Sequence, residues 1–261
     1  MIEVQQLSKR FTQGRGAKAR SVHALDGVSF TAADGRITGL LGPNGAGKTT
    51  TLRIAAALIE PDAGRVHVDG IHVATRPTEA LARMGVLSDA RGLYPRLTAR
   101  ENIVYYGRLH GMSRVAAAAR AESLARMLDM QPLLDRRTDG FSQGERMKTA
   151  LARALVHDPA NIVLDEPTNG LDVLATRSLR DTLRRLRDDH GKCIVFSTHI
   201  MQEVERLCDQ VVVVAHGRTV AVGSVAELNA ASGCIDFEET FVTLAFGADE
   251  GPPSGRRREA A

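Results

Sequence analysis

A glycine-rich loop joins a short apolar segment to a helical one, and this arrangement restricts the fold more than any other feature of the chain. Ile37–Leu41 is almost continuously apolar, as in a strand buried on both faces of a sheet, and Lys48–Leu58 has a helical pattern. The loop consists of Gly42, Pro43, Asn44, Gly45, Ala46, Gly47, Lys48, Thr49 and Thr50. A strand, a glycine-rich turn and a helix in this order are typical of an anion site at a helix N-terminus.

The spacing of this loop, Gly followed by four residues and Gly-Lys-Thr, suits a triphosphate. Glycines let backbone N–H groups approach phosphate oxygens closely, and the helix presents its positive dipole end to the anion. Lys48 adds a positive charge for the outer phosphates, and the Thr49 hydroxyl can ligate Mg²⁺. The alternative, a glycine-rich turn with an isolated lysine, does not account for the flanking strand and helix.

The rest of the chain alternates between apolar strands and helical patterns. Strands are predicted at Met84–Ser88, Asn161–Leu164, Cys193–Ser197 and Gln210–Ala215, and helices at Gln143–His157, Val173–Asp189 and Ile200–Cys208. Further strand patterns lie nearer the N-terminus, at Ile2–Val4, at Val22–Phe30 and at Arg65–Gly70, the last with the alternation of a hairpin at a sheet edge. Strands alternating with helices predict an α/β fold with a mainly parallel sheet.

Three stretches depart from this alternation. Residues 93–140 favour helix throughout, and Thr98–Glu101 has the spacing of a capping box. The basic segment Lys9–Arg20 predicts a solvated, mobile loop or, over most of its length, a surface hairpin. Residues 247–261 are rich in glycine, proline and charge, so we expect them to be disordered. Their Arg256–Arg258 run is either solvated or in contact with a membrane surface.

The composition excludes several classes of protein. With 43% apolar and 25% charged residues, the chain is neither disordered nor fibrous. A net charge of +3 and only 4% aromatic residues give no support to nucleic-acid binding. No apolar run approaches the roughly 18 residues of a membrane span, and the N-terminal segment does not resemble a signal peptide. The three widely spaced cysteines favour a reduced, cytosolic chain.

Two adjacent carboxylates, Asp165 and Glu166, follow the strand pattern Asn161–Leu164. In a parallel sheet the carboxyl ends of the strands border the ligand crevice. Because side chains alternate along a strand, the two acids can have different tasks: Asp165 to hold Mg²⁺ and Glu166 to polarise an attacking water. Alone, the pair could equally be exposed strand-end acids. Together with the Gly42–Thr50 loop it indicates phosphoryl chemistry, and no guanine-reading Asn-Lys-x-Asp or Thr-Lys-x-Asp segment is present.

A second candidate anion site lies at Phe141–Glu145, where Ser142 and Gly144 begin a helical pattern. On its own this pentapeptide is compatible with an ordinary N-cap serine. One small domain does not need two such sites for one nucleotide. We therefore expect the second site to act on a nucleotide held by another copy of the chain.

These motifs together resemble the ATP-binding subunit of ABC transporters. In chain order they are the Gly42–Thr50 loop, the Ser142 segment, Leu164–Thr168, Asn169–Asp172 and Ser197–His199. The resemblance extends over about residues 1–232. The segments Arg91–Thr98 and Phe141–Leu174 are most similar to bacterial exporters of the sodium-efflux (NatA-type) and drug-resistance kind. The family resemblance implies a P-loop NTPase core with an antiparallel β subdomain and an inserted α-helical subdomain.

The resemblance also assigns residues. It matches Phe11 to the aromatic that stacks on adenine, although a core phenylalanine is the alternative. It matches Ser142 and Gly144 to the signature residues that contact the γ-phosphate bound by the opposite protomer. Asp172 corresponds to the loop that couples the two sites, and His199 to the histidine that contacts the γ-phosphate.

Two departures from the family pattern are visible. Asp89 stands where the family usually has a glutamine that contacts Mg²⁺ or water; it can still ligate the metal but adds negative charge. The signature usually reads Leu-Ser-Gly-Gly-Gln, and Phe141, Gln143 and Glu145 replace three of these five residues. We expect Glu145 to weaken ATP-driven dimer closure by charge repulsion.

The expected function is an ATPase subunit, peripheral on the cytoplasmic face of the plasma membrane, that powers a separate membrane permease of an exporter. Two copies, expected as a homodimer, bind two ATP·Mg²⁺ molecules, with Glu166 and His199 catalytic and with Thr49, Asp165 and Asp89 as metal ligands. The cassette is expected over residues 1–232, its helical insert at about 93–140, an extension at 233–246 and the tail at 247–261.

Two alternatives stay open. One is a soluble ABC-type ATPase unrelated to transport; such chains usually carry two nucleotide units or a long coiled coil, and neither occurs in this sequence. The other is an ATP-binding module with weak hydrolysis, which Asp89 and Glu145 suggest.

Overall fold

The computed structural model describes residues 1–13, 20–88 and 92–247. Its strands are β1 (Ile2–Gln13), β2 (Arg20–Ala32), β3 (Ile37–Leu41), β4 (Ala63–Val68), β5 (Ile71–His72), β6 (Met84–Leu87), β7 (Asn161–Asp165), β8 (Cys193–Thr198), β9 (Gln210–Ala215) and β10 (Arg218–Gly223). Its helices are α1 (Lys48–Ala55), α2 (Pro77–Ala82), α3 (Ala99–Leu109), α4 (Arg114–Met127), α5 (Gln143–Leu155), α6 (Val173–Asp188), α7 (Met201–Leu207), α8 (Val225–Ser232) and α9 (Phe237–Phe246).

The larger sheet has six strands in the order β10-β9-β3-β8-β7-β6. Neighbours from β9 to β6 run parallel, and β10 pairs antiparallel with β9 at one edge. The mainly parallel α/β sheet predicted from the sequence is therefore confirmed. All five residues of β3 are buried, because β3 lies between two strands and is covered on both faces. The carboxyl ends of β3, β7 and β8 meet at one edge of this sheet.

The smaller sheet has four antiparallel strands in the order β2-β1-β4-β5. β1 continues to Gln13 and pairs with β2 from Arg20 onward, which confirms the hairpin interpretation of Lys9–Arg20 for its described part; residues 14–19 lie outside the described ranges. The segment Arg65–Gly70 predicted a hairpin at a sheet edge. The hairpin forms, but β4 is an interior strand because β1 pairs with its other side, and β5 is the edge.

Three local differences from the predicted elements have simple causes. α1 ends at Ala55 rather than Leu58, because Ala57 turns to a positive φ of 55° and bonds back to the Ile54 carbonyl. The sequence patterns missed α2, which is only six residues long. They also missed β10, whose exposed and half-buried residues belong to an edge strand.

The helical stretch predicted at 93–140 contains α3, α4 and two single 3₁₀ turns at Gln131–Leu133 and Thr138–Gly140. The capping box predicted at its start is confirmed: Glu101 N donates to Thr98 Oγ1 at 3.1 Å, and Thr98 N donates to Glu101 Oε2 at 2.8 Å. α3 and α4 pack against α5, and residues such as Ile103 and Leu124 belong to one hydrophobic cluster with residues of α5 and of β7 in the parallel sheet.

The segment 233–246 contains α9, whose buried residues Phe237 and Phe241 share a cluster with Val211 and Val213 of β9. The expected disordered tail lies outside the described residues, apart from Gly247. In the part of the chain that the structure describes, no helix has the length and apolar character needed to cross a membrane.

Candidate functional site

The Gly42–Thr50 loop follows β3 directly and ends in the first turn of α1. Gly47 caps this helix with φ at 105°, in the left-handed region that a side chain disfavours. A Cβ on Gly42 would lie 2.2 Å from the carbonyl oxygen of Val214 in β9. Glycine is therefore required at both positions for close packing, and the loop leaves backbone N–H groups at the start of α1 to an anion.

The side chain of Lys48 folds back over this loop. Its Nζ donates to the carbonyl oxygens of Gly42 at 2.7 Å and Pro43 at 3.2 Å, and it lies 3.5 Å from Glu166 Oε1. Only 5% of the residue is exposed. The ammonium group is thus held between the loop and the carboxylate, where it can meet an outer phosphate.

Asp165 lies at the end of β7 and faces α1. Thr49 Oγ1 donates to Asp165 Oδ1 at 3.0 Å, so the helix start and the strand end meet across the sheet edge. A threonine hydroxyl and a carboxylate are oxygen donors of the kind that Mg²⁺ prefers. The donor set therefore fits a nucleotide-bound magnesium ion. Within the described ranges, no cluster of three or more His, Cys, Asp or Glu side chains forms a metal site of its own.

Glu166 is held by three groups at the point where the chain leaves β7. His199 Nδ1 lies 2.8 Å from Glu166 Oε2, and Ser197 Oγ accepts a hydrogen bond from Glu166 N at 2.9 Å. The third group is Lys48, described above. The backbone of Glu166 has φ at 47°, a left-handed conformation that disfavours residues other than glycine. A non-glycine residue in such a conformation is typical of functional sites.

An open cleft brings these groups together with residues of the smaller sheet. It is lined by Phe11, Val22, His23, Ala24, Asn44, Gly45, Ala46, Gly47, Lys48, Thr49, Thr50, Glu166, Asn169 and His199. Phe11 is 37% exposed and lies in this cleft, not in the core. The sequence motifs did not single out Val22 and His23, because their place in the cleft follows from the packing of β2. Asn169 begins the Asn169–Asp172 motif but was not assigned to the site from the sequence.

The second anion site is in a different place. Ser142, Gly144 and Asp172 line a separate cleft between the starts of α5 and α6, and this cleft shares no lining residue with the first. Ser142 caps α5 by accepting from Glu145 N at 3.2 Å, and Asp172 caps α6 by accepting from Ala175 N at 2.7 Å. Among the described residues, no hydrogen bond joins Ser142, Gly144 or Asp172 to the Gly42–Thr50 loop.

The charge of Glu145 is engaged within the chain. Glu145 Oε2 accepts from Ser142 N at 2.8 Å, and Oε1 accepts from Arg136 Nη1 at 3.0 Å. These contacts lower the pKa of Glu145, the bond from the Ser142 backbone contributing most. Arg136 thus places a positive charge beside the Glu145 carboxylate, and the predicted weakening of dimer closure by Glu145 stays a prediction. Gln143 also has a partner, since its Nε2 donates to Asn169 O at 3.1 Å.

Asp89, the remaining predicted metal ligand, lies outside the described residues. The other predicted residues fall into two groups. The Gly42–Thr50 loop, Phe11, Asp165, Glu166 and His199 surround one edge of the parallel sheet, and the Ser142 group is apart from them.

Comparison with known proteins identifies the family to which the chain belongs. The sequence profile of the family described as "ABC transporter" matches residues 25–169. The chain belongs to the ABC transporter family. The ABC transporter ATP-binding protein NatA of Bacillus subtilis is 41% identical over 93% of this chain and 97% of its own length. The Nod factor export ATP-binding protein I of Burkholderia lata is 44% identical over 77% of this chain and 66% of its own length.

Solved structures agree with the family assignment. A dimeric bacterial ABC transporter cassette superposes with a TM-score of 0.77 at 25% identity, covering 86% of this chain and 98% of the cassette. An ATP-binding subunit of an ABC transporter superposes with a TM-score of 0.79 at 29% identity, covering 93% of this chain and 98% of that subunit. The chain is therefore an ABC ATPase cassette with a P-loop NTPase fold, homologous to transporter ATP-binding subunits, and it binds nucleotide.

Proposed function

We propose that two copies of this chain bind two ATP molecules between them and that hydrolysis drives export by a separate membrane permease. The observation that carries the proposal is the separation of the two clefts. The phosphate loop and Glu166 line one, and Ser142 lines the other, so a nucleotide can meet both groups only when two chains face each other. The dimeric state of a cassette with the same fold supports this arrangement.

In the first cleft the chain's own residues bind and orient the phosphates. The loop N–H groups and Lys48 hold the outer phosphates, and Phe11 packs against the base. Thr49 and Asp165 would hold the magnesium ion, which supplies charge neutralisation when it is bound. Glu166 orients the attacking water and accepts its proton, while His199 bonds both the Glu166 carboxylate and the terminal phosphate.

In the second cleft, Ser142 and Gly144 present the start of α5 to the terminal phosphate of the nucleotide held by the partner subunit. Asp172 lies at the start of α6 in the same cleft and communicates between the two sites. ATP therefore stabilises the closed dimer, because it bonds to both chains at once, and its hydrolysis favours separation.

The permease is a different polypeptide at the membrane, and the chain docks on it from the cytoplasmic face. The helical stretch 93–140 and the Asp89 loop transmit the change between open and closed dimers. One relative supports an export role, since it is named for Nod factor export, and NatA supports a role in transport as an ABC transporter ATP-binding protein. The cargo is recognised by the permease.

A variant that binds ATP without cleaving it tests the dimer directly. Glu166→Gln removes the proton acceptor but keeps the bond to His199, so ATP accumulates at the interface. We expect gel filtration with ATP and Mg²⁺ to show a dimer for Glu166→Gln and a monomer for the same variant without nucleotide.

The control is Glu205→Gln, which removes a carboxylate on the exposed face of α7, away from both clefts. It should hydrolyse ATP like the wild type and form no trapped dimer. If Glu166→Gln binds ATP by calorimetry and still elutes only as a monomer, the two-chain site is wrong.

A further inference from the structure

The buried hydroxyl of Ser197 bridges the two acidic residues of the phosphate cleft. Ser197 has no exposed surface and lies near the end of β8, where its backbone pairs with Asp165 of β7. Its Oγ donates to Asp165 Oδ1 at 2.6 Å and accepts from Glu166 N at 2.9 Å. One hydroxyl is thus bonded to both members of the pair, using its donor and one acceptor site.

Ser197 Oγ accepts the hydrogen bond from Glu166 N at the point where the pairing of β7 with β8 ends. Asp165 and Ser197 form the last residue pair between β7 and β8, and Glu166 turns away with a left-handed φ of 47°. A carbonyl of the neighbouring strand can no longer accept from its N–H, so the Ser197 side chain does so instead. Such a conformation is unfavourable for glutamate and persists only where surrounding contacts maintain it.

The hydrogen bond from Ser197 Oγ restrains the orientation of the Asp165 carboxylate. Ser197 and Thr49 both donate to the same oxygen, Oδ1, one from β8 and the other from α1. Two donors on one oxygen hold the carboxylate plane in a single orientation. Among the described residues, none donates a hydrogen bond to the second oxygen, Oδ2, which stays available to a cation or water.

We infer that Ser197 is a positioning residue for hydrolysis: it maintains the backbone turn that aims Glu166 and the orientation of Asp165. The inference rests on the proposed role of Glu166. Among the described residues, Ser197 forms no hydrogen bond to the Gly42–Thr50 loop, so its loss should slow the chemical step without weakening the binding of metal-free ATP.

The test compares Ser197→Ala with Ser197→Thr, which keeps the hydroxyl. We expect Ser197→Ala to lower kcat about 10- to 100-fold, because Glu166 N loses its acceptor and Asp165 Oδ1 keeps only the bond from Thr49. The Kd of ATP, measured by calorimetry without Mg²⁺, should stay within twofold of the wild type. Ser197→Thr should recover most of kcat. Equal loss of kcat in both variants would contradict the inference, as would an ATP affinity reduced in parallel with kcat.

A matched control separates positioning from packing. Thr38→Val deletes another fully buried hydroxyl, on β3 of the same sheet. This hydroxyl donates to Gln210 Oε1 at 3.3 Å and not to Asp165 or Glu166. It should lower the melting temperature about as much as Ser197→Ala and leave kcat within twofold. If Thr38→Val slows hydrolysis as much as Ser197→Ala, a general effect of packing explains both.

The double variant Ser197→Ala/Glu166→Gln shows whether the effect acts through Glu166. If it does, adding Ser197→Ala to Glu166→Gln should reduce the residual hydrolysis by less than twofold, although the single change reduces the wild type far more. Fully multiplicative effects would refute this route. The wild type could form an ATP-dependent dimer and hydrolyse ATP while Ser197→Ala has the same kcat. That result would refute the inference about Ser197 and leave the proposed function intact.

Discussion

Replacing Lys48 by methionine removes the one side-chain cation that lies between the phosphate loop and Glu166 among the described residues. Methionine keeps most of the volume of the aliphatic stem, so the change mainly deletes charge. In the wild type the ammonium group bonds to two loop carbonyls and lies 3.5 Å from Glu166 Oε1. The variant should fold, because α1 and β3 bury the same apolar residues as before.

The loss of affinity can be worked from this geometry. Two unit charges about 4 Å apart interact by about 4 kcal/mol at an effective dielectric constant of 20. Part of that gain is offset, since Lys48 gives up contacts to Gly42 O and Pro43 O when it turns to a phosphate. A net loss of about 2 to 4 kcal/mol corresponds to a Kd for ATP that is roughly 30- to 1,000-fold weaker.

Calorimetric titration with ATP and Mg²⁺ measures this Kd, and a thermal melt verifies folding. The control is Lys192→Met, which deletes a comparably buried lysine that pairs with Asp158 at 3.0 Å outside both clefts. Lys192→Met should lose some stability and bind ATP like the wild type. A folded Lys48→Met whose Kd lies within threefold of the wild type would refute the assignment of the loop.

Two other changes probe the loop and the signature segment. Gly42→Ala places a methyl group 2.2 Å from the Val214 carbonyl oxygen, so we expect a lower melting temperature and loss of ATP binding; Gly140→Ala, which meets no atom within 4 Å, should show neither. Glu145→Gln keeps the capping geometry but loses the charge that Arg136 pairs. Because the pKa of Glu145 is lowered in the folded state, its contribution to stability is present above the ordinary glutamate pKa of about 4.3 and is lost as the pH falls through the folded value. Urea denaturation should thus find Glu145→Gln less stable than the wild type at pH 7, by no more than about 1 kcal/mol, and equally stable at strongly acidic pH; a difference that persists in acid would contradict the ion pair.

The amino-acid sequence by itself determined the parallel core and the phosphate loop. Their signals are local: a buried strand, a glycine-rich turn and a helix follow one another within about twenty residues, and chain geometry leaves few ways to arrange them. The capping box at Thr98 was predictable for the same reason, since its two partners are three residues apart. The motifs and their order along the chain were also visible in the sequence, and the family resemblance rests on them.

The tertiary structure alone decided which groups meet. Ser197 contacts Asp165 and Glu166 because β8 pairs with β7 in one register, although 31 residues separate Ser197 from Glu166. The ion pair between Glu145 and Arg136 depends on how the 3₁₀ turns lead into α5. The distance between the two clefts depends on the packing of α5 and α6 beside the sheet. Such contacts depend on strand order, register and helix packing, which local residue patterns do not specify.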